Sequence, residues 1–229
     1  MLTSTPDLKQ SKTTKVTDPV CLYVVFSSTP YKMGRFIRFV TRASLNHVAI
    51  STDPELKEMY SFARRYRNTP LFGGFVRESY GRYRNRDRLA QVRICALPIS
   101  PEKLAEVRAM LGRMEASADR YPYNLLSALI HPLRLRVRLP NCYTCVEFVA
   151  DFLREMQISD RVLPNHNYSV GELYRLLREH TVYRGDFPHT VPTGESDPFD
   201  EQPRLRTAIA MTIAAIGEQW ARVLRYKIR

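Results

Sequence analysis

Between residues 21 and 97 the chain sets out five short β-rich runs, most of them bounded by turn formers, ahead of its first long capped helical pattern. The first, CLYVVF (21–26), is closed by Ser27-Ser28-Thr29-Pro30. LNHVAIS (45–51) and EMYSFAR (58–64) are joined through Asp53-Pro54, a good turn former, which makes them an antiparallel pair. GGFVRE (73–78) and QVRICAL (91–97) complete the set. Several links are of hairpin length, too short for the crossovers that a parallel sheet needs. MGRFIRFVTRA (33–43), inserted after the first run, carries Met33, Phe36, Ile37 and Val40 at helical spacing.

Helical patterns dominate the rest. Ser100-Pro101 supplies a cap and a first-turn proline for a helix reaching about Ala118. A short apolar helix is expected at 124–131, and LRLRVRL (133–139) alternates as a strand would, with Arg134, Arg136 and Arg138 on one face. Cys145 opens VEFVADFLREM, where Phe148, Val149, Phe152 and Leu153 make an apolar stripe. Ser169-x-x-Glu172 is a capping box for the next helix. The expected class is α+β: a small antiparallel sheet packed against helices, with a C-terminal amphipathic helix.

The division that follows is a disordered tail at 1–19, a main domain at 20–183, a Pro/Gly/Asp-rich linker at 184–202 and the C-terminal helix at 203–229. An apolar content of 44% is enough for a packed core and excludes a wholly disordered chain. The chain opens MLTSTPDLKQ, without an apolar h-region, so a cytoplasmic location with free thiols is expected. The longest apolar run, 208–216, is interrupted by Thr212 and falls short of the roughly 20 residues of a membrane span. Net charge is +12, and 28 of the 35 basic residues are arginine, which suits an anionic partner.

Chemistry centres on one thiol. A cysteine at the first turn of a helix sits near the positive end of the helix dipole, where thiolate is favoured and backbone amides can hold an oxyanion. Asn141-Cys142-Tyr143-Thr144-Cys145 leads into such a helix, which makes Cys145 the better placed of the two thiols. A histidine must then reach it to move the proton. His47 lies in a strand-like run, where a lone histidine is more often structural; His131, His166, His180 and His189 lie beside prolines, on loops or at a helix end.

Tyr143-Thr144-Cys145-Val146-Glu147-Phe148-Val149 resembles the Y-x-C-S-x-F-V segment of NlpC/P60 papain-like hydrolases, whose Cys heads a helix and is the nucleophile. In the ordinary order of that family a strand-borne His-Val-Gly-Ile follows the Cys. Here His47-Val48-Ala49-Ile50 precedes it by about a hundred residues, which resembles the circularly permuted, YiiX-like branch related to the lecithin:retinol acyltransferase group. The resemblance covers roughly residues 20–180. It implies a papain-like fold and a cofactor-free, thiol-dependent hydrolase or acyl transferase, with Cys145 as nucleophile and His47 as base. Its substrate would be an amide or ester, of peptidoglycan-peptide or lipid-acyl kind. The Ser that usually follows the nucleophile is Val146 here. The third polar residue is expected from the next strand, with Ser61 or Asn68 as candidates, where many relatives carry Glu or His. Tyr143 is a candidate oxyanion donor, although a tyrosine at such a spot more often packs.

Three other readings compete. Cys142-x-x-Cys145 has dithiol or half-zinc-site spacing, but no second pair of ligands at zinc spacing accompanies it. The arginines at 134–138 and Arg82, Arg84, Arg86 and Arg88, interleaved with Tyr80 and Tyr83, would suit a catalytically inactive anion-binding domain, though no specific nucleic-acid motif is present. The helix from 203 carries Leu205, Ile209, Ile213, Ile216, Trp220, Val223 and Leu224 on one face. That face is expected to pack on the domain or on a second copy, in preference to a membrane surface.

Overall fold

A computed structural model describes residues 20–30, 44–69, 71–85, 88–133, 135–189 and 197–227. The expected tail at 1–19 and helix at 33–43 lie outside the described residues. The strands are β1 (Val20–Ser28), β2 (His47–Ser51), β3 (Met59–Arg64), β4 (Gly73–Glu78), the short pair β5 (Arg84–Asn85) and β6 (Arg88–Leu89), β7 (Gln91–Ile99) and β8 (Thr181–Asp186). The α-helices are α1 (Pro101–Ala116), α2 (Leu125–Ile130), α3 (Cys145–Glu155), α4 (Val170–Leu177) and α5 (Leu205–Lys227). The fold is α+β, with a six-stranded sheet in the order β4-β3-β2-β1-β7-β8 whose neighbours are all antiparallel.

β1 is central. It pairs with β7 from Val20–Ile99 to Ser28–Gln91 and with β2 from Tyr23–Ser51 to Ser27–His47. Its near-continuous apolar sequence follows from burial on both faces. Leu22, Val24 and Phe26 join the larger core with Val48, Ile50, Phe62 and the apolar stripe of α3, whereas Val25 joins a second core with Met59, Tyr83, Val92 and Phe187. α3 lies across β2 and β3. β2 and β3 pair only through Ile50–Tyr60 and Ser51–Met59, so the His47 end of β2 is left outside that ladder.

The expected caps form. Ser100 accepts a hydrogen bond from the Lys103 amide, and Ser169 with Glu172 makes a capping box at α4. Residues 135–138 do not form the expected strand, and Leu139 makes only an isolated bridge. The Asn124 side chain takes the Val137 carbonyl at 2.8 Å, and Arg136 turns inward to ion pairs with Glu147 (3.1 Å) and Asp151 (2.6 Å). Those contacts hold the segment in place outside the sheet.

The second arginine series also breaks up. Arg82 is buried, donating to the Arg64 carbonyl at 2.6 Å and lying over the Phe199 ring, while Arg84 and Arg88 are exposed and Arg86 lies outside the described residues. Tyr83 is fully buried, so its ring offers no stacking platform for a base.

The expected domain end at 183 falls inside β8, which continues to Asp186 as the sheet's edge. The expected linker at 184–202 is anchored at its far end. Asp197 is buried and accepts hydrogen bonds from the amides of Gly81 (2.7 Å) and Phe199 (2.8 Å) and from the Ser79 hydroxyl (2.5 Å). A β-carbon at Gly81 would fall on that carboxylate, so the close approach requires glycine there. This anchor fixes the turn that immediately follows Glu78.

α5 reverses one expectation. It docks through Ala208 and Gln219, which are buried, and Arg222 donates to the Pro140 carbonyl at 3.0 Å. Its large apolar side chains face away from the domain into solvent. Among the described residues no helix is long and apolar enough to cross a membrane.

Candidate active site

The nucleophile candidate is held by a rigid helix start. Thr144 accepts from the Glu147 amide at 3.3 Å, and Glu147 accepts from the Thr144 amide at 2.8 Å, closing a capping box around Cys145. Glu147 is itself buried and is held by the Ser127 hydroxyl and by Arg136. Cys145 is 7% exposed and belongs to the larger core. The helix start therefore has little freedom to turn.

His47 begins β2. The preceding Asn46 grips Thr29 twice, accepting from its amide at 2.9 Å and donating to its hydroxyl at 2.8 Å, which fixes the entry to the strand. The imidazole Nε2 lies 2.6 Å from Glu78 Oε1. With Nε2 committed to Glu78, Nδ1 is the ring nitrogen left for the Cys145 sulfur, which acts on the imidazole by hydrogen bonding and by charge.

Burial pulls the His47 pKa down, but the Glu78 charge and the bonds from Cys145 and Glu78 outweigh it and lift it from 6.5 to about 10. Glu78 mirrors this. Burial pushes its carboxyl up, yet the charge and hydrogen bond of His47, the Arg82 charge and the Ser61 hydroxyl bring it from 4.5 down to about 2. The pair is an imidazolium and a carboxylate at neutral pH.

Glu78 is the residue bonded to the imidazole, and the strand patterns left it unassigned. Ser61 donates to Glu78 Oε1 and Tyr83 donates to Oε2, so both hydroxyls hold the carboxylate that holds the ring. Ser61 thus lies in the cluster one bond removed from His47, bonded to Glu78 and not to the ring it was expected to hold. Asn68, the other candidate, is exposed and donates to the Pro203 carbonyl at 3.4 Å. Glu78 closes β4 with its side chain fully buried.

Tyr143 packs edge-to-face on Phe62 at 5.3 Å. Burial raises its phenol pKa, as do the charges of Glu155 and Asp151, while Arg136 lowers it. The ring is a packing element of the aromatic cluster, and among the described residues no hydrogen bond joins its hydroxyl to the Cys145 side chain. Tyr123 is a buried tyrosine on which the charge of Cys145 acts. It is bridged to Tyr143 through backbone, and burial together with the charges of Cys145 and Glu147 holds its phenol protonated. Tyr123 also lines a cleft of about 190 Å³ between Gly73, Pro122 and the Ala214, Ala215 and Gln219 side of α5.

Cys142 faces elsewhere. Its sulfur accepts from Gln219 Nε2 at 3.1 Å, and burial pushes its thiol up to about 11. All four cysteines are free. Of the other histidines, His131 contacts the Tyr168 carbonyl, His166 packs on the Tyr168 ring, His180 meets Glu179 and His189 stacks on Tyr80. Among the described residues no three His, Cys, Asp or Glu side chains converge as a metal site would require. Comparisons of the chain with protein-family models, with curated proteins and with solved structures find no match.

Proposed function

We propose that this chain is a thiol-dependent hydrolase of the papain-like, circularly permuted kind, acting on an amide or ester through a Cys145–His47–Glu78 triad. The observation that supports the reading is one imidazole that is bonded to the Glu78 carboxylate and is also acted on by the Cys145 sulfur. Sequence order supports the permutation, since the histidine strand precedes the cysteine helix.

In this mechanism the Cys145 sulfur, its proton held by His47, attacks the carbonyl carbon, forming a C–S bond while the C=O π pair moves onto oxygen. The capping box occupies the amides of Thr144 and Glu147; the first-turn amides of Cys145 and Val146, with the Tyr123 phenol, are the proposed donors to that oxyanion. The oxyanion collapses, the C–N or C–O bond breaks, and His47 gives its proton to the departing amine or alcohol. Water then attacks the acyl-thioester with His47 taking its proton; the C–S bond breaks, which releases a carboxylic acid and returns the starting pair, the Cys145 sulfur with its proton on His47. An acceptor amine or hydroxyl in place of water turns the same sequence into acyl transfer. Glu78 orients the ring and stabilises the imidazolium throughout, as the carboxylate of a hydrolase triad does.

An activated acyl ester offered at short reaction times, followed by mass mapping, tests the reading. The expected result is a single acyl group on Cys145, absent from Cys145→Ala and formed about 10²- to 10⁴-fold more slowly in His47→Ala. Acylation spread over Cys21, Cys95 and Cys142 as well, or unchanged in His47→Ala, would contradict it.

A further inference from the structure

The hydrophobic effect normally turns the apolar stripe of an amphipathic helix toward the core. α5 does the opposite. Leu205, Ile209, Ile213, Ile216, Trp220 and Leu224 recur every three or four residues along one face and are 39–75% exposed. The small and polar face, with Ala208 and Gln219, is the one that docks. Gln219 to Cys142 and Arg222 to Pro140 fix this rotation, so a simple roll of the helix would sacrifice both bonds. Next to α5, the α2 segment and the turn after it expose Leu129 and Leu133 at 73% and 70%. The helix spans about 34 Å at 1.5 Å per residue.

Charge decides the occupant. Arg204 and Arg206 stand at the start of the helix and Arg225 and Lys227 at its end, while its single acid, Glu218, pairs with Arg222 at 2.7 Å. With both ends basic, a second copy laid parallel or antiparallel would set positive against positive. Anionic lipid headgroups would neutralise the same ends while the acyl region received the apolar stripe, and the whole chain carries +12.

We infer that α5, with Leu129 and Leu133 beside it, is an interfacial docking surface for an anionic membrane, lying in the plane of the bilayer. This surface does not depend on the reaction proposed above.

Trp220 is the only tryptophan, so it reports directly on that face. The full chain is titrated with vesicles of mixed phosphatidylglycerol and phosphatidylcholine, and with phosphatidylcholine alone, reading Trp220 emission and co-sedimentation. A blue shift with co-sedimentation is expected on the anionic vesicles and should weaken as salt is added. Ile213→Asp, at an exposed position, should lower the affinity by roughly tenfold or more with an unchanged melting curve, since burying such a side chain contributes about 1.5–3 kcal/mol. Arg206→Glu with Arg225→Glu should remove the preference for anionic vesicles. Three outcomes would overturn the inference: no shift on either vesicle, equal binding to both, or a blue shift that grows with protein concentration in the absence of lipid, which would mark a second copy.

Discussion

A histidine enclosed by protein ordinarily gives up its proton, because burial disfavours the cation. His47 keeps its own because Glu78 lies 2.6 Å from Nε2 and is itself locked by Ser61, Tyr83 and the Arg82 charge. Glu78→Gln removes the charge and leaves the burial, so the His47 pKa should fall from about 10 to the ordinary 6.5 or below, read by NMR titration of the ring. A value still near 10 would show that another group holds the proton. The pair also sets a pH dependence of stability. His47 is raised above its unfolded value, so its contribution is complete below about pH 6.5 and fades as pH rises toward 10. Glu78 is depressed, so its contribution is complete above about pH 4.5 and is lost as pH falls toward 2. Denaturant midpoints should therefore be flattest near pH 5–6, and Glu78→Gln should lose much of the slope on both sides. Of these residues His47 could be singled out from sequence only through the resemblance carried by His47-Val48-Ala49-Ile50, because a lone histidine in a strand-like run is more often structural. Glu78 was hidden, because the ladder that brings it near His47 is a matter of register between strands that no local pattern encodes.

At the scale of elements, the site depends on how firmly α3 begins. The Thr144–Glu147 box, Arg136 and Ser127 form one buried polar cluster under Cys145. Glu147→Ala would open the cap and leave Arg136 short of one of its two acidic partners, at a cost of about 3 kcal/mol in urea unfolding. A loss within a few tenths of a kcal/mol would mean that the cluster does not hold the helix start. The Thr-x-x-Glu pattern was present in the sequence, and so was the apolar stripe of α3. The role of Arg136 was not legible, because strict alternation in 133–139 fits a strand as well as it fits a segment outside the sheet tied down by Asn124 and two ion pairs. β8 escaped for the opposite reason: as a largely exposed edge strand it carries no apolar alternation to betray it. The five runs that do carry it match β1, β2, β3, β4 and β7 closely.

At the scale of the molecule, the sheet is buried on both sides around β1, with the candidate site at the His47 end of β2 and the cleft of Tyr123 closed on one side by α5. The apolar face of α5 was legible as a stripe, but periodicity says only that a face exists and not which way it turns. Buried Gln219 and the Arg222 bond settle that direction. Whether His47 and Cys145 act as one unit is read from iodoacetamide alkylation of each cysteine across pH, with mass mapping, in the native chain and in His47→Ala. Selective alkylation of Cys145 below pH 7 is expected, with Cys142 left untouched and the reactivity lost in His47→Ala. Equal labelling of Cys142 and Cys145, or a Cys145 profile indifferent to His47, would contradict it.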